Sequence, residues 1–273
     1  IFNRPLLQRT LMILLIDAGN TRVKWALAEA QSAPAAQADT WLAHGAVVHA
    51  DLTQLELIWS EAVGQRPVER ILVANVAGNA LRVHLEYVLQ RTFPAMPMAQ
   101  AIDWFESRPA LAGLTNGYRN PAQLGCDRFA AAIAGHTLAP GRAIIVANCG
   151  TATTIDAITA DGVFLGGMIL PGLGLMASSL ARNTAQLPQI AQDGKLPDGF
   201  ADNTDDAILS GCLAAQGGAI EHAFARHGAV ECIVSGGAAP YIAPMLKVPH
   251  RVVENIVLIG LHAAARVDQG SLC

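Results

Sequence analysis

The chain has 273 residues, a formal net charge of −4 and only 15% charged residues, so no broad basic surface marks it for nucleic acid. Hydrophobic residues make up 52% and aromatic ones only 5%; this alanine-weighted balance suits compact helices, and no apolar run approaches the roughly 18 residues of a membrane span. Five scattered cysteines, Cys126, Cys149, Cys212, Cys232 and Cys273, form no CxxC pair and no zinc spacing, which points to reduced thiols in the cytoplasm.

Residues 1–11 carry Arg4 and Arg9 ahead of an apolar run that Asp17 ends too early for a secretory signal. They are expected to be an extension outside the fold, with Met12 as the natural start. The length favours two domains at ~150 residues each. The first structured stretch, Leu14 to Leu27, is an apolar run that reaches Asp17, turns on Gly19-Asn20-Thr21 and becomes apolar again. It reads as a β-hairpin with a polar turn. Gly19 permits close backbone approach, Asn20 and Thr21 offer donors, Lys24 adds a positive charge, and Asp17 suits a hydrated cation. The same residues also suit an ordinary turn.

Next, Gln31 to Asp39 reads as a loop, and Leu52, Leu55, Ile58 and Trp59 mark a helix over 52–63. Ile71 to Val76 reads as a buried strand, Leu81 to Leu89 as a helix and Ala99 to Phe105 as a short strand and turn. This is an α/β pattern. The stretch Asn116 to Arg128 begins as a loop and opens a helix over Phe129–Leu138, so Asp127 and Arg128 are expected near a helix N-terminus, where backbone amides favour an anion. A capping aspartate followed by a solvated arginine would give the same pattern.

Residues Ala143 to Ile158 then repeat the opening stretch: apolar strand, polar residue, spacer, glycine, small polar residues, apolar strand. Asn148 corresponds to Asp17, Gly150 to Gly19 and Thr151 to Asn20, an offset of 148 − 17 = 131 residues. A duplication at this period implies two similar α/β halves, each with a phosphate-sized turn. Gly172, Gly174 and Ala177 match a dinucleotide GxGxxA spacing, but no strand ending in an acid follows. A loop leading into a helix over Leu175–Ala181 is the better reading. Asn203-Thr204-Asp205-Asp206 starts a long helix over 207–226, Ile233 to Gly237 runs from a strand into a glycine pair, and an apolar helix over 257–267 closes the chain.

Paired strand-turn-strand loops followed by Ser235-Gly236-Gly237 resemble the actin-like ATPase superfamily, whose fold is two duplicated ribonuclease H-like α/β domains around a nucleotide cleft. The expected division is 12–124 and 125–273. No GxxxxGK[ST] is present. Within that superfamily the sequence resembles type III pantothenate kinase. The resemblance rests on Asp17-x-Gly19-Asn20-Thr21-x-x-Lys24, on Tyr118-x-x-Pro121-x-x-Leu124-Gly125-x-Asp127-Arg128, and on Gly150-Thr151-Ala152-Thr153-Thr154-x-Asp156. Thr184-Ala185-x-Leu187-Pro188, Asn203-Thr204 and Ser235-Gly236-Gly237 complete it.

The resemblance implies ATP-dependent phosphorylation of pantothenate, the first step of coenzyme A synthesis. It makes Asp127 the catalytic base. It assigns Tyr118, Gly125, Cys126, Asp127, Arg128 and Thr204 to pantothenate, Arg128 through the carboxylate and Thr204 at the interface of a homodimer. Gly19, Asn20, Thr21, Lys24, Gly150 and Thr151 would hold ATP phosphates, with Ser235, Gly236 and Gly237 beside the adenosine. Asp17 would hold Mg2+ through water. The family usually has aspartate at the position of Asn148, where it goes with a monovalent cation, K+ or NH4+; the amide keeps an oxygen and loses the charge. Pantothenate and ATP are thus the expected partners, with neither nucleic acid nor membrane. A sugar kinase of the same fold, or an accessory protein that has lost catalysis, are the alternatives.

Overall fold

A computed structural model describes residues 11–30, 32, 41–183 and 199–270. The motif Thr184 to Pro188 and the extension Ile1 to Thr10 lie outside the described residues. The first sheet contains β1 (Met12–Ala18), β2 (Arg22–Glu29), β3 (Ala43–Val48), β4 (Val68–Asn75) and β5 (Ile102–Trp104). Helices α1 (Gln54–Val63), α2 (Asn79–Thr92) and the short α3 (Met98–Ala101) connect its later strands. Its order is β3-β2-β1-β4-β5, with β1, β2 and β3 antiparallel and β4 and β5 parallel to β1.

The second half opens with β6 (Ala110–Leu111), β7 (Leu114–Asn116) and α4 (Cys126–Leu138). Then come β8 (Ile144–Cys149), β9 (Ala152–Ile158), β10 (Val163–Pro171), α5 (Leu173–Asn183) and α6 (Thr204–His227). The last elements are β11 (Glu231–Ser235), α7 (Ala239–Ile242), β12 (His250–Val252) and α8 (Ile256–Gly270). The second sheet runs β12-β11-β8-β9-β10-β7-β6. With β8 as its first strand, the five strands from β12 to β10 repeat the order and directions of the first sheet, and β7 and β6 extend it. The 131-residue sequence echo is therefore a duplicated topology, the ribonuclease H-like α/β unit used twice.

The strands β1 and β8 are buried on both faces, and their alternation sorts side chains between cores. Ile13 and Leu15 of β1, with Ile144 and Val146 of β8, face one core containing α4 and α8. Met12, Leu14 and Ile16 face α1 and α2. Ile145, Ala147 and Cys149 face α5 and α6. So α4 and α8 form the shared layer between the sheets. Their small residues allow close approach: a Cβ on Gly260 would lie 1.8 Å from the Ala130 carbonyl oxygen. Replacing either with a larger side chain would push the two sheets apart.

Several expectations change. Strands β6 and β7 hydrogen-bond within the second sheet, and α8 returns to pack on β1 and β4 of the first. Helix α4 starts at Cys126 rather than Phe129, because Gly125 takes the N-cap position. The glycine-rich run is strand β10 up to Pro171, and α5 begins at Leu173. Its glycines had hidden the strand, since Gly166 and Gly167 lack the side chains that make alternation visible. The edge strands β3 and β12 went unread for the same reason: few buried side chains carry their pattern.

Candidate functional site

The candidate residues collect at the carboxyl ends of β1, β4, β8 and β11, where open α/β sheets present ligands to loops. The first turn joins β1 to β2. Its Gly19 N–H donates to the Arg22 carbonyl at 3.1 Å, and the Gly19 carbonyl accepts from His49 Nε2 at 2.9 Å. Asp17 and Lys24 face each other across the strands at its base. The second turn joins β8 to β9 and is tighter, with the Gly150 N–H donating to the Ala152 carbonyl at 3.0 Å. Asn148 there faces Thr154 on one side and Ser235 of β11 on the other. The two turns meet: the hydroxyls of Thr21 and Thr151 are 2.7 Å apart.

A third turn, Gly236-Gly237, seats against the second. Gly236 has φ +95 and a Cβ there would fall 2.4 Å from the Cys149 carbonyl oxygen; Ala238 N–H donates to that same oxygen at 2.9 Å. Only glycine tolerates both the dihedral and the approach. Ser235 is buried below, while Gly237 is exposed. Lys24, Gly236, Gly237, Pro240, Glu254 and Asn255 line a cleft of about 240 Å3. A larger cleft of about 810 Å3 opens at the amino end of β4 among Val63, Arg66, Pro67, Phe93 and Met96, and none of the sequence-predicted residues lines it.

The start of α4 lies beside Asp17 and the end of β4. Asp127 sits in its first turn, where its Oδ1 accepts from the Arg128 N–H at 2.8 Å. Gly125 leaves it room, since a Cβ there would lie 2.7 Å from Asp127 Oδ1. Burial pushes the Asp127 carboxyl above the usual carboxylate range. Burial likewise raises Asp17 to about 7, Lys24 opposing and the Asp127 charge adding to the rise. Two buried carboxylates, one near enough for its charge to raise the other, suit a shared cation or a proton-accepting role. Cys126 donates its thiol to the Asn75 carbonyl, with 3.6 Å between heavy atoms, and burial pushes that thiol up to about 11. It is a packing residue rather than a nucleophile.

Arg128 is buried, and its guanidinium is already engaged. Nε and one terminal nitrogen donate to Asp156, and the other terminal nitrogen donates to the Tyr118 hydroxyl at 2.8 Å. The sequence stretch quoted above contained Asp156 without giving it a role. Tyr118 is itself fixed by the Asn116 side chain, whose Oδ1 accepts from Tyr118 N–H at 3.1 Å. Thr204 stands exposed at the start of α6, next to the Asn203 side chain that caps the helix. Sequence reasoning also missed His49 and Gly172. His49 lies on a short 3-10 turn after an edge strand, which has no periodicity. Gly172 had been weighed only as a dinucleotide glycine; a Cβ there would fall 2.1 Å from the Gly150 carbonyl oxygen, so it seats the second turn.

Two duplicated α/β units, with their turns meeting at Thr21 and Thr151, a glycine-pair turn beside a cleft and an acidic helix start near Asp17, belong to the actin-like ATPase fold, and the matches below make the chain a phosphotransferase of it. The solved structure of a conserved Baf family protein from Campylobacter jejuni shares that fold at a TM-score of 0.56, with 19% identity over 95% of this chain and 100% of the other. The type III pantothenate kinase family profile matches residues 13–226. Type III pantothenate kinases from Janthinobacterium sp. (strain Marseille) and Herminiimonas arsenicoxydans are 52% and 51% identical to it, each over 93% of this chain and 97% of the relative. The chain belongs to the type III pantothenate kinase family.

Proposed function

We propose that this protein transfers the γ-phosphoryl group of ATP to the primary hydroxyl of pantothenate, giving 4′-phosphopantothenate for coenzyme A synthesis. The observation that carries this reading is Asp127 at the start of α4, set between Asp17 on the first turn and the Tyr118–Arg128 pair. Phosphoryl transfer depends on charge neutralisation and in-line positioning more than on covalent chemistry. Asp127 orients the pantothenate hydroxyl and accepts its proton; a raised carboxyl is better matched to that task near neutral pH than an ordinary one. Tyr118 and Arg128 hold the acceptor. Gly19, Asn20, Thr21, Lys24, Gly150 and Thr151 hold the phosphates, and Gly236-Gly237 lies by the adenosine.

Asp17 fits a magnesium site, because its buried carboxyl loses stability as an anion unless a cation joins it. Among the described residues no group of three or more histidine, cysteine or acidic side chains could hold a metal unaided. As the family resemblance implies, Asp17 would act through water, with the phosphates completing the shell. When bound, magnesium supplies neutralising charge to those phosphates. Asn148 offers one neutral oxygen at the matching position of the second turn, so a monovalent cation there is held weakly.

The reading includes a homodimer. Leu165 and Ile169 on β10 and Leu175 on α5 are exposed apolar side chains, and α5 packs on α6, whose first residue is Thr204. A second copy over this face would bring Thr204 near an acceptor pocket. Light scattering of the purified chain should give twice the chain mass, and Ile169→Asp should halve it; a monomeric wild type removes the dimer from the reading. Among the described residues no helix is long and apolar enough to cross a membrane.

The test of the reaction is ADP release with pantothenate, with and without potassium, beside a hexosamine control. Turnover with pantothenate supports the proposal. Turnover with the hexosamine alone would make the chain a sugar kinase, and turnover with neither would make it an accessory protein. Asp127→Asn should bind both substrates and lose about 10²–10⁴-fold in kcat; near-normal kcat removes Asp127 from the role of base.

A further inference from the structure

Arg128–Asp156 is the most deeply buried of the described ion pairs, its side chains 8% and 1% exposed. The contact is side-on. Asp156 Oδ1 accepts from Nε at 3.1 Å and from a terminal nitrogen at 2.5 Å, and Oδ2 lies 3.3 Å from Nε. The remaining terminal nitrogen reaches the Tyr118 hydroxyl. A guanidinium carries five N–H groups, so among the described residues one N–H on each terminal nitrogen is left without a partner, and that of the nitrogen bonded to Asp156 lies on the edge away from Nε. The rings of Tyr118 and Phe164 lie 5.7 Å and 5.8 Å from the guanidinium carbon and wall it in.

The strand opposite Asp156 is built around this pair. Its cross-strand partner on β10 is Gly167. A Cβ on Gly167 would fall 2.1 Å from Asp156 Oδ1 and 2.6 Å from the Arg128 terminal nitrogen. A side chain at 167 and the ion pair therefore exclude each other. Stability does not account for the arrangement, because a buried ion pair is often no more stabilising than an apolar replacement of the same volume. What a side-on carboxylate does supply is orientation, since Arg–carboxylate geometry is directional.

We propose that Asp156 is a positioning residue for the acceptor substrate: it fixes the Arg128 guanidinium so that its free edge faces the acceptor pocket, with Tyr118 as the second stop and Gly167 as the space that admits the pair. The proposal rests on the kinase reading, which puts Arg128 against pantothenate. Asp156 touches no substrate in it and acts through Arg128.

Steady-state kinetics of the full chain test it, with pantothenate varied at saturating ATP and ATP varied at saturating pantothenate. The variants are Asp156→Asn, Arg128→Gln and the two combined. Asp156→Asn should raise the pantothenate KM by about tenfold to a hundredfold, the scale of a misplaced binding group, and leave the ATP KM within about twofold. The combined variant should match Arg128→Gln alone, because a residue acting only through another adds nothing once that one is gone. Fold-losses that multiply, or a pantothenate KM and an ATP KM that rise together in Asp156→Asn, overturn the proposal. Asp156→Asn leaves a buried guanidinium unpaired and is at risk of misfolding. Arg128→Gln leaves the Asp156 carboxylate buried without its partner, and only the combined variant leaves neither charge. Thermal melts establish that each variant is folded; among folded variants a pantothenate KM in the combined variant equal to that of Arg128→Gln supports the proposal, whereas a further rise overturns it. A wild type idle on pantothenate would overturn the kinase reading instead, before any variant is made.

Discussion

The two phosphate turns are built on one plan and differ where charge is concerned. In the first, Asp17 faces Lys24 across the hairpin; in the second, the same two positions hold Asn148 and Thr154. The first turn is one residue longer between its last paired strand positions and is tied down by His49. The second is seated by two glycines from elsewhere, Gly172 and Gly236, with no charged side chain at its base. Both halves thus keep the same backbone device, a glycine whose N–H closes the turn on a carbonyl across the hairpin. The charge that would accompany a metal stayed only in the first. On the proposed kinase reading, one turn would combine binding with electrostatics and the other would act by shape.

The strongest way to break this contrast is Asp17→Asn, which gives the first turn the second turn's amide and leaves Lys24 without its carboxylate. Turnover should fall by about a hundredfold or more, the scale of a lost electrostatic group at a reacting centre. Its stability should move the other way. Burial raises the Asp17 carboxyl to about 7 in the folded chain, against its ordinary 3.8 when unfolded. Between those values the folded chain holds a proton that the unfolded chain has lost, so stability falls as pH rises through the window and stays reduced above it. At pH 8 in the absence of nucleotide and metal, Asp17→Asn should melt higher than wild type, by a margin on the order of 2–4 kcal/mol from 1.36 kcal/mol per pKa unit. Thermal melts at pH 4 and pH 8 check it: an unchanged difference between variant and wild type at the two values would show that Asp17 is not buried as an acid.

Gly172→Ala attacks the second turn through its seat. The added methyl meets the Gly150 and Thr151 carbonyls, so either the turn or α5 must shift. Overpacking of this kind costs about 1–3 kcal/mol, and the ATP KM should rise about tenfold, while the pantothenate KM stays near wild type. Asn148→Asp sharpens the comparison from the other side by restoring a charge to the second turn. Potassium should then stimulate turnover by a few-fold more than it does in wild type; equal potassium titrations would show that charge at 148 is irrelevant to cation use. Thr21→Val or Thr151→Val removes the hydroxyl contact between the turns. Being exposed, it should cost no more than about 0.5 kcal/mol, and the ATP KM should change less than for Gly172→Ala.

Much of this was legible in the chain as written. The hairpin at Asp17–Lys24, its echo at Asn148–Thr154, the helix start at Asn203 and the Gly236-Gly237 turn are local: an apolar run, a turn residue and a cap at fixed spacing. The duplicated strand order followed from the echo. The glycine-rich β10 was not legible, because its alternation is interrupted where Gly166 and Gly167 give way to Tyr118 and the Arg128–Asp156 pair. Helix α4 was read three residues late, because a glycine N-cap leaves no side-chain signal.

The sequence by itself determined which residue types stand at each turn, the duplication and the neutral Asn148, because these depend on identity and spacing along one chain. Tertiary structure alone decided the partnerships: Thr21 with Thr151, Arg128 with Asp156, and Gly172 and Gly236 with the second turn. The reason is that each joins segments from about 20 to 130 residues apart, and its worth depends on burial and distance, which a linear spacing does not carry. Arg128 shows the difference most clearly. Its position at a helix start was readable as an open anion-binding arginine, and only the fold showed that an aspartate 28 residues later already holds one side of it.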